Sequence, residues 1–142
     1  MAGGAEIKTA AVGDRRKDES RMTKGSILIV DDEPIVREAI RDWMVDAGYS
    51  VATASTGEEA IEIVNRQDFG VVVLDVRLPG KTGIRVLQEI KQLKPQIKAI
   101  VITAYASPEL RAEALGMGAV QYLSKPIAPD QLEKHIQSVL AE

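Results

Sequence analysis

Residues 71–83 read VVVLDVRLPGKTG, and the fold follows from how that stretch is read. Val71 to Leu74 is an unbroken run of branched apolar side chains. A strand with one wet face would alternate, so this one is buried on both faces. It stops abruptly at Asp75, and Leu78-Pro79-Gly80 supplies the turn chemistry. Ile84, Leu87, Ile90 and then Leu93 recur at helical spacing until Pro95 closes the helix. A doubly buried strand followed at once by a helix is half of a βαβ unit. Its sheet is therefore parallel and covered by helices.

The same alternation extends in both directions. Upstream, Ile27 to Val30 is a second buried run. Pro34 then opens a helix with Val36, Ile40, Trp43, Met44 and Ala47 on one stripe, which assigns Trp43 to the core, and Gly48 stops it. Ser50 to Ala54 reads as another strand, and Thr56 with Glu59 has the spacing of a capping box ahead of Ala60, Ile61 and Val64. Downstream, Ala99 to Thr103 is a strand, and Ser107-Pro108 caps the next helix, which Gly116 and Gly118 end. Val120 to Leu123 is a short fifth strand, and Pro129 starts a last helix with Leu132, Ile136, Val139 and Leu140 on one face. Five strands alternate with five helices, an α/β doubly wound parallel sheet.

Composition narrows the chemistry. The 142 residues include 18 basic and 21 acidic side chains, one histidine and no cysteine. Without cysteine there is no disulfide scaffold, thiolate zinc site or iron–sulfur cluster. A net charge of −3 argues against broad affinity for nucleic acid or an anionic membrane. No apolar stretch approaches the ~20 residues a membrane span needs, and no signal-peptide block precedes the charges from Glu6 to Lys24. A cytoplasmic protein is expected. Residues 1–24 carry six basic and four acidic side chains with little apolar material, so a disordered tail is expected there and one domain over 25–142. Met22 could itself be a natural start.

Ligands in such sheets bind beyond the carboxyl ends of the strands. There the chain places Asp31 and Asp32, then Asp75, Thr103 and Lys125-Pro126. If strands one, three, four and five are central, these groups converge. Three adjoining carboxylates resist ionisation unless a cation compensates, and an all-oxygen donor set suits magnesium better than zinc or copper. One Mg²⁺ and Lys125 would balance the three carboxylates, leaving a neutral site that admits a phosphoryl group. Taken singly, each residue is an ordinary turn or strand residue; their joint placement carries the reading.

In four stretches the sequence resembles the receiver domain of two-component response regulators: LIVDDEP at 28–34, VVLDVRLPGKTG at 72–83, VITAYA at 101–106 and QYLSKP at 121–126. The resemblance covers nearly all of the region from Ile27 to Leu140. It implies a flavodoxin-like sheet of order 2-1-3-4-5, with Asp75 as phosphoacceptor for a sensor histidine kinase or histidine phosphotransfer domain. It implies Mg²⁺ held by Asp31, Asp32, Asp75 and the backbone carbonyl of Arg77, with Lys125 on the phosphoryl group and a cis bond to Pro126. Thr103 and Tyr122 are implied as switch residues acting on the surface of helix four, strand five and helix five. Thr82 and Ile127 depart from the usual residues without touching this chemistry.

The module so implied is a signalling phosphoacceptor that assists only its own phosphorylation and dephosphorylation, not an enzyme on an external substrate. A receiver-like interaction module that works without phosphorylation is the alternative, and the full set of site residues speaks against it. A small aspartyl-phosphate hydrolase would need a further acid/base and a cap, and a flavin protein would need a phosphate loop where the acidic pair stands. His135, beside Lys134, is read as a solvated helix residue rather than a phosphoryl donor. Arg77 and Tyr105 flank the path of attacking water, so a long-lived phosphorylated state is expected from their bulk. The output is open: a stand-alone receiver, or part of a regulator with an output domain, with phosphorylation-dependent dimerisation an option in either.

Overall fold

A computed structural model describes residues 24–142; the expected tail at 1–24 falls, but for Lys24, outside the described residues. The elements run β1 (Ser26–Val30), α1 (Pro34–Asp46), β2 (Ser50–Ala54), α2 (Gly57–Arg66), β3 (Val71–Asp75), α3 (Gly83–Leu93), β4 (Lys98–Thr103), α4 (Pro108–Gly116), β5 (Ala119–Ser124) and α5 (Pro129–Leu140). All strand pairs are parallel and the sheet order is β2-β1-β3-β4-β5, as the motifs implied.

Strand periodicity explains the two cores. Successive side chains point to opposite faces. Ile27, Ile29, Val71, Val73, Ile100 and Ile102 meet Ile40 and Met44 of α1 and Leu132, Ile136 and Val139 of α5. Leu28, Val30, Val72, Leu74 and Val101 instead meet α2, α3 and Ala114 of α4. Because both faces of the central strands β1, β3 and β4 are covered, these need apolar residues at nearly every position, which is why they read as unbroken runs, whereas the edge strands β2 and β5 carry Thr53 and Gln121.

Local sequence sets the helix starts. Thr56 Oγ1 accepts the Glu59 N–H at 3.1 Å, and Glu59 Oε1 accepts the Ser55 N–H at 2.7 Å, so the capping box closes one residue earlier than its simplest form. Ser107 Oγ accepts the Leu110 N–H at 3.0 Å with Pro108 in the first turn, as its sequence predicts.

Three apolar or neutral assignments are corrected. Trp43 is 43% exposed rather than in the core, because its stripe sits at the seam between α1 and α5 and its indole N–H donates to Glu133 Oε1 at 3.0 Å. Leu93, in the last turn of α3, is also exposed, past the end of the core-facing stripe. His135 is partly buried on α5 rather than solvated.

Candidate functional site

The carboxyl ends of β1, β3, β4 and β5 form one floor. Asp31 follows β1, and its N–H still pairs with Ala54 O at 3.1 Å, which carries the ladder one residue past the strand. Its carboxylate Oδ1 accepts the Glu33 N–H at 2.9 Å, a local turn that Asp favours. Asp75 is the last residue of β3, and its Oδ1 accepts the Arg77 N–H at 3.0 Å in the same manner. Both aspartates are almost fully buried, whereas Asp32 faces solvent.

Lys125 ties the two buried carboxylates together. Its Nζ donates to Asp31 Oδ2 at 2.8 Å, to Asp75 Oδ2 at 2.7 Å and to Glu33 Oε1 at 3.3 Å. Its position is held by the backbone, since Lys125 N–H donates to Thr103 O at 2.8 Å, and the Lys125–Pro126 peptide is cis. Burial alone would lower the ammonium pKa, but the hydrogen bonds and charges of Asp31 and Asp75 outweigh it and hold it above its ordinary value. Asp75 goes the other way for a carboxylate. Desolvation raises its pKa, opposed by the Lys125 and Arg77 hydrogen bonds and reinforced by repulsion from Asp31.

Donor oxygens of Asp31, Asp32 and Asp75 lie within 4.8 Å of one another. That spacing and an all-carboxylate set fit a hard divalent cation. Above them opens a pocket of about 230 Å³ lined by Asp32, Glu33, Asp75, Arg77, Ala104, Tyr105 and Lys125. Thr103, fully buried at the end of β4, accepts the Tyr105 N–H on Oγ1 at 3.0 Å. Tyr122 lies one strand away, half-buried against the core, with its hydroxyl accepting the Ser107 N–H at 3.3 Å. The β4–α4 loop therefore connects the Thr103 hydroxyl to the Tyr122 hydroxyl through its own backbone N–H groups.

All the site residues expected from sequence are thus gathered at one end of the sheet, with Tyr122 at its flank. Two further residues join them. Glu33 gives Lys125 a third carboxylate, and Arg37 Nη1 donates to the Asp31 carbonyl at 2.9 Å. Their only sequence signal is proximity to the acidic pair, in the turn and first helical turn that follow it.

A parallel doubly wound domain with a carboxylate cluster and a lysine at its carboxyl edge is built for anion and cation chemistry at a strand switch. A family model for the response regulator receiver domain matches residues 27–137. The chain belongs to the response regulator receiver domain family, the receiving module of two-component signalling. It is 42% identical over 119 residues to the transcriptional regulatory protein ZraR of Escherichia coli K12, covering 81% of this chain and 26% of that protein. It is 39% identical over 109 residues to the alginate biosynthesis transcriptional regulatory protein AlgB of Pseudomonas aeruginosa, covering 77% and 24%. The chain thus spans about a quarter of the length of these curated relatives. Among solved structures, a CheY-like receiver domain protein from Methanospirillum hungatei superposes with a TM-score of 0.80 at 32% identity, covering 82% of this chain and 93% of that one. Among the described residues no helix is long and apolar enough to cross a membrane.

Proposed function

We propose that Asp75 is the phosphoacceptor of this receiver and takes its phosphoryl group from a histidine of a sensor kinase or phosphotransfer domain. A carboxylate oxygen bonds to phosphorus, the P–N bond breaks, and the electron pair stays on the imidazole nitrogen, which picks up a proton. The observation that carries the reading is the buried Asp75 carboxylate, 2.7 Å from Lys125 at the floor of an open pocket. Mg²⁺, held by Asp31, Asp32, Asp75 and the Arg77 carbonyl, would supply charge neutralisation for the phosphoryl oxygens.

The chain's own residues do the rest. Lys125 trades a carboxylate partner for a phosphoryl oxygen. Thr103 leaves the Tyr105 N–H to donate its hydroxyl to another, and Tyr122 follows through the loop that holds its hydroxyl. The added group brings ≈ −1.5 to −2 charge and new acceptor oxygens, enough to shift a two-state loop. The surface changed is that of α4, β5 and α5. Ala114 is the one buried residue of α4, with Leu110 and Leu115 partly buried against the core, so α4 is held by less buried surface than α3. The readout would pass to an output domain or a protein partner in the cytoplasm, dimerisation included.

Intact mass after exposure to acetyl phosphate tests the assignment. Wild type is expected to gain one phosphoryl group only with Mg²⁺, and Asp75→Asn none. Asp75→Asn should fold, because ionised Asp75 is a net electrostatic burden and Lys125 keeps Asp31. No gain by folded wild type would remove the assignment.

A further inference from the structure

Of the three carboxylates that fit a divalent cation, two are held by their neighbours and one is not. Asp31 and Asp75 are buried, and each is bonded to Lys125 Nζ and to a backbone N–H. Asp32 is exposed, and among the described residues its carboxylate has no hydrogen-bond or ion-pair partner. Its direction is therefore set by the backbone that carries it, above all by the plane of the Asp31–Asp32 peptide. The oxygen of that peptide is the Asp31 carbonyl, and Arg37 Nη1 donates to it at 2.9 Å.

The turn has little other support. Glu33, the N-cap residue of α1, makes no side-chain cap bond, and Pro34 has no N–H to give. Between Asp31 and Arg37 three bonds hold the chain. Glu33 N–H donates to Asp31 Oδ1, Arg37 N–H to Glu33 O, and Arg37 Nη1 to Asp31 O, each at 2.9 Å. Arg37 supplies two of the three, one from its backbone and one from its side chain. Its sequence neighbours include Asp32, Glu33 and Glu38, yet among the described residues the guanidinium pairs with no carboxylate. An arginine placed only to balance charge would take one of them; this one takes a peptide oxygen.

We propose that Arg37 is a positioning residue for the cation site, fixing the Asp31–Asp32 peptide so that the exposed carboxylate stays beside its two buried partners. The inference rests on Asp31, Asp32 and Asp75 being the Mg²⁺ ligands. Arg37 acts through Asp32 and not on the ion itself, as outer partners of metal ligands do. A guanidinium suits the task because its fork is planar, rigid and always charged. The role also has a sign of its own. A countercharge to the acidic residues competes with Mg²⁺, so its removal would tighten binding. A positioning bond prepares the site, so its removal weakens binding.

Calorimetric titration of the full chain with MgCl₂ at neutral pH tests this, with urea unfolding in EDTA to show that each variant is folded. Arg37→Met keeps the apolar stem and removes the donor, and its Kd for Mg²⁺ is expected to rise about ten-fold. Arg37→Lys keeps a charged donor without the fork, and should recover part of that loss. Asp32→Ala should weaken binding by itself. Adding Arg37→Met to it should change the Kd by less than about two-fold, because no carboxylate is left to position. An unchanged or lowered Kd in Arg37→Met, an Arg37→Lys no better than Arg37→Met, or penalties that multiply in the double variant would overturn the positioning role and leave the ligands standing. A wild-type Kd in Asp32→Ala, or no Mg²⁺ uptake by the wild type, would overturn both.

Discussion

Lys125→Met is expected to lose about 3 kcal/mol of folding stability at neutral pH in EDTA, far more than an ordinary surface lysine is worth. The lysine side chain is 13% exposed and the carboxylates it bridges are 3% and 7% exposed, so its removal strands two buried charges side by side. The loss should depend on pH in a defined sense. In wild type the folded Asp75 pKa already lies above its ordinary value of 3.8, and losing the Lys125 hydrogen bond removes the chief influence that lowers it. A carboxyl group raised in the folded state gives stability that is complete below the unfolded pKa and lost as pH rises through the folded one. The deficit of Lys125→Met should therefore be small near pH 4, widen as pH rises, and level off above the variant's folded pKa. Mg²⁺ should recover part of it, because a divalent cation compensates the same carboxylates. Urea titrations across pH, with and without Mg²⁺, measure this. A deficit independent of pH would mean that Lys125 acts through packing of its stem and not through its charge.

The strands were legible because burial on both faces forces continuous apolar runs, and Val71–Leu74 is 0–1% exposed throughout. Asp31 and Asp75 were legible because each directly follows such a run, and Asp32 and Lys125 because they stand just past the ends of β1 and β5, where a parallel sheet puts its ligands. Pairwise detail was not. Nothing in the spacing of Arg77 and Tyr105, 28 positions apart, announces a ring stacked under a guanidinium. Glu33 and Arg37 were missed because each also suits the start of a helix, so their presence needs no site to explain it. Trp43 failed for a related reason. Helical periodicity places a residue on a stripe, but it does not say where the stripe meets the seam between two helices, and there a large ring with one polar atom stays half in water.

Gly83→Ala is the second large effect, and its cause is space alone. The φ angle of Gly83 is not in the left-handed region, so a side chain meets no intrinsic backbone strain there. A Cβ at Gly83 would, however, stand 2.2 Å from the Asp75 carbonyl oxygen and 2.6 Å from Val76 Cα. Both neighbours are backbone, held in place because Gly83 N–H donates to Val76 O at 2.7 Å and β3 is paired on both sides. Relief requires α3 to lift from the sheet or Asp75 to shift, and overpacking of this kind costs about 3 kcal/mol or more. Two other glycines calibrate the result. At Gly57 the nearest obstacle is a methyl of buried Val86 at 2.5 Å, a side chain and not backbone, so Gly57→Ala should cost less than Gly83→Ala while still destabilising. At Gly116 nothing lies within 4 Å, and alanine in that helical position should stabilise by about 0.5–1 kcal/mol through lower unfolded-state entropy. For a domain of this size 1 kcal/mol moves Tm by roughly 4 °C, so the order Gly116→Ala above wild type above Gly57→Ala above Gly83→Ala is readily measured. Gly83→Ala should also slow phosphoryl loading more than its stability loss accounts for, because the atom it strikes belongs to Asp75. A folded Gly83→Ala that loads at the wild-type rate would show that the close approach of α3 sets packing only and leaves the position of Asp75, the proposed phosphoacceptor, untouched.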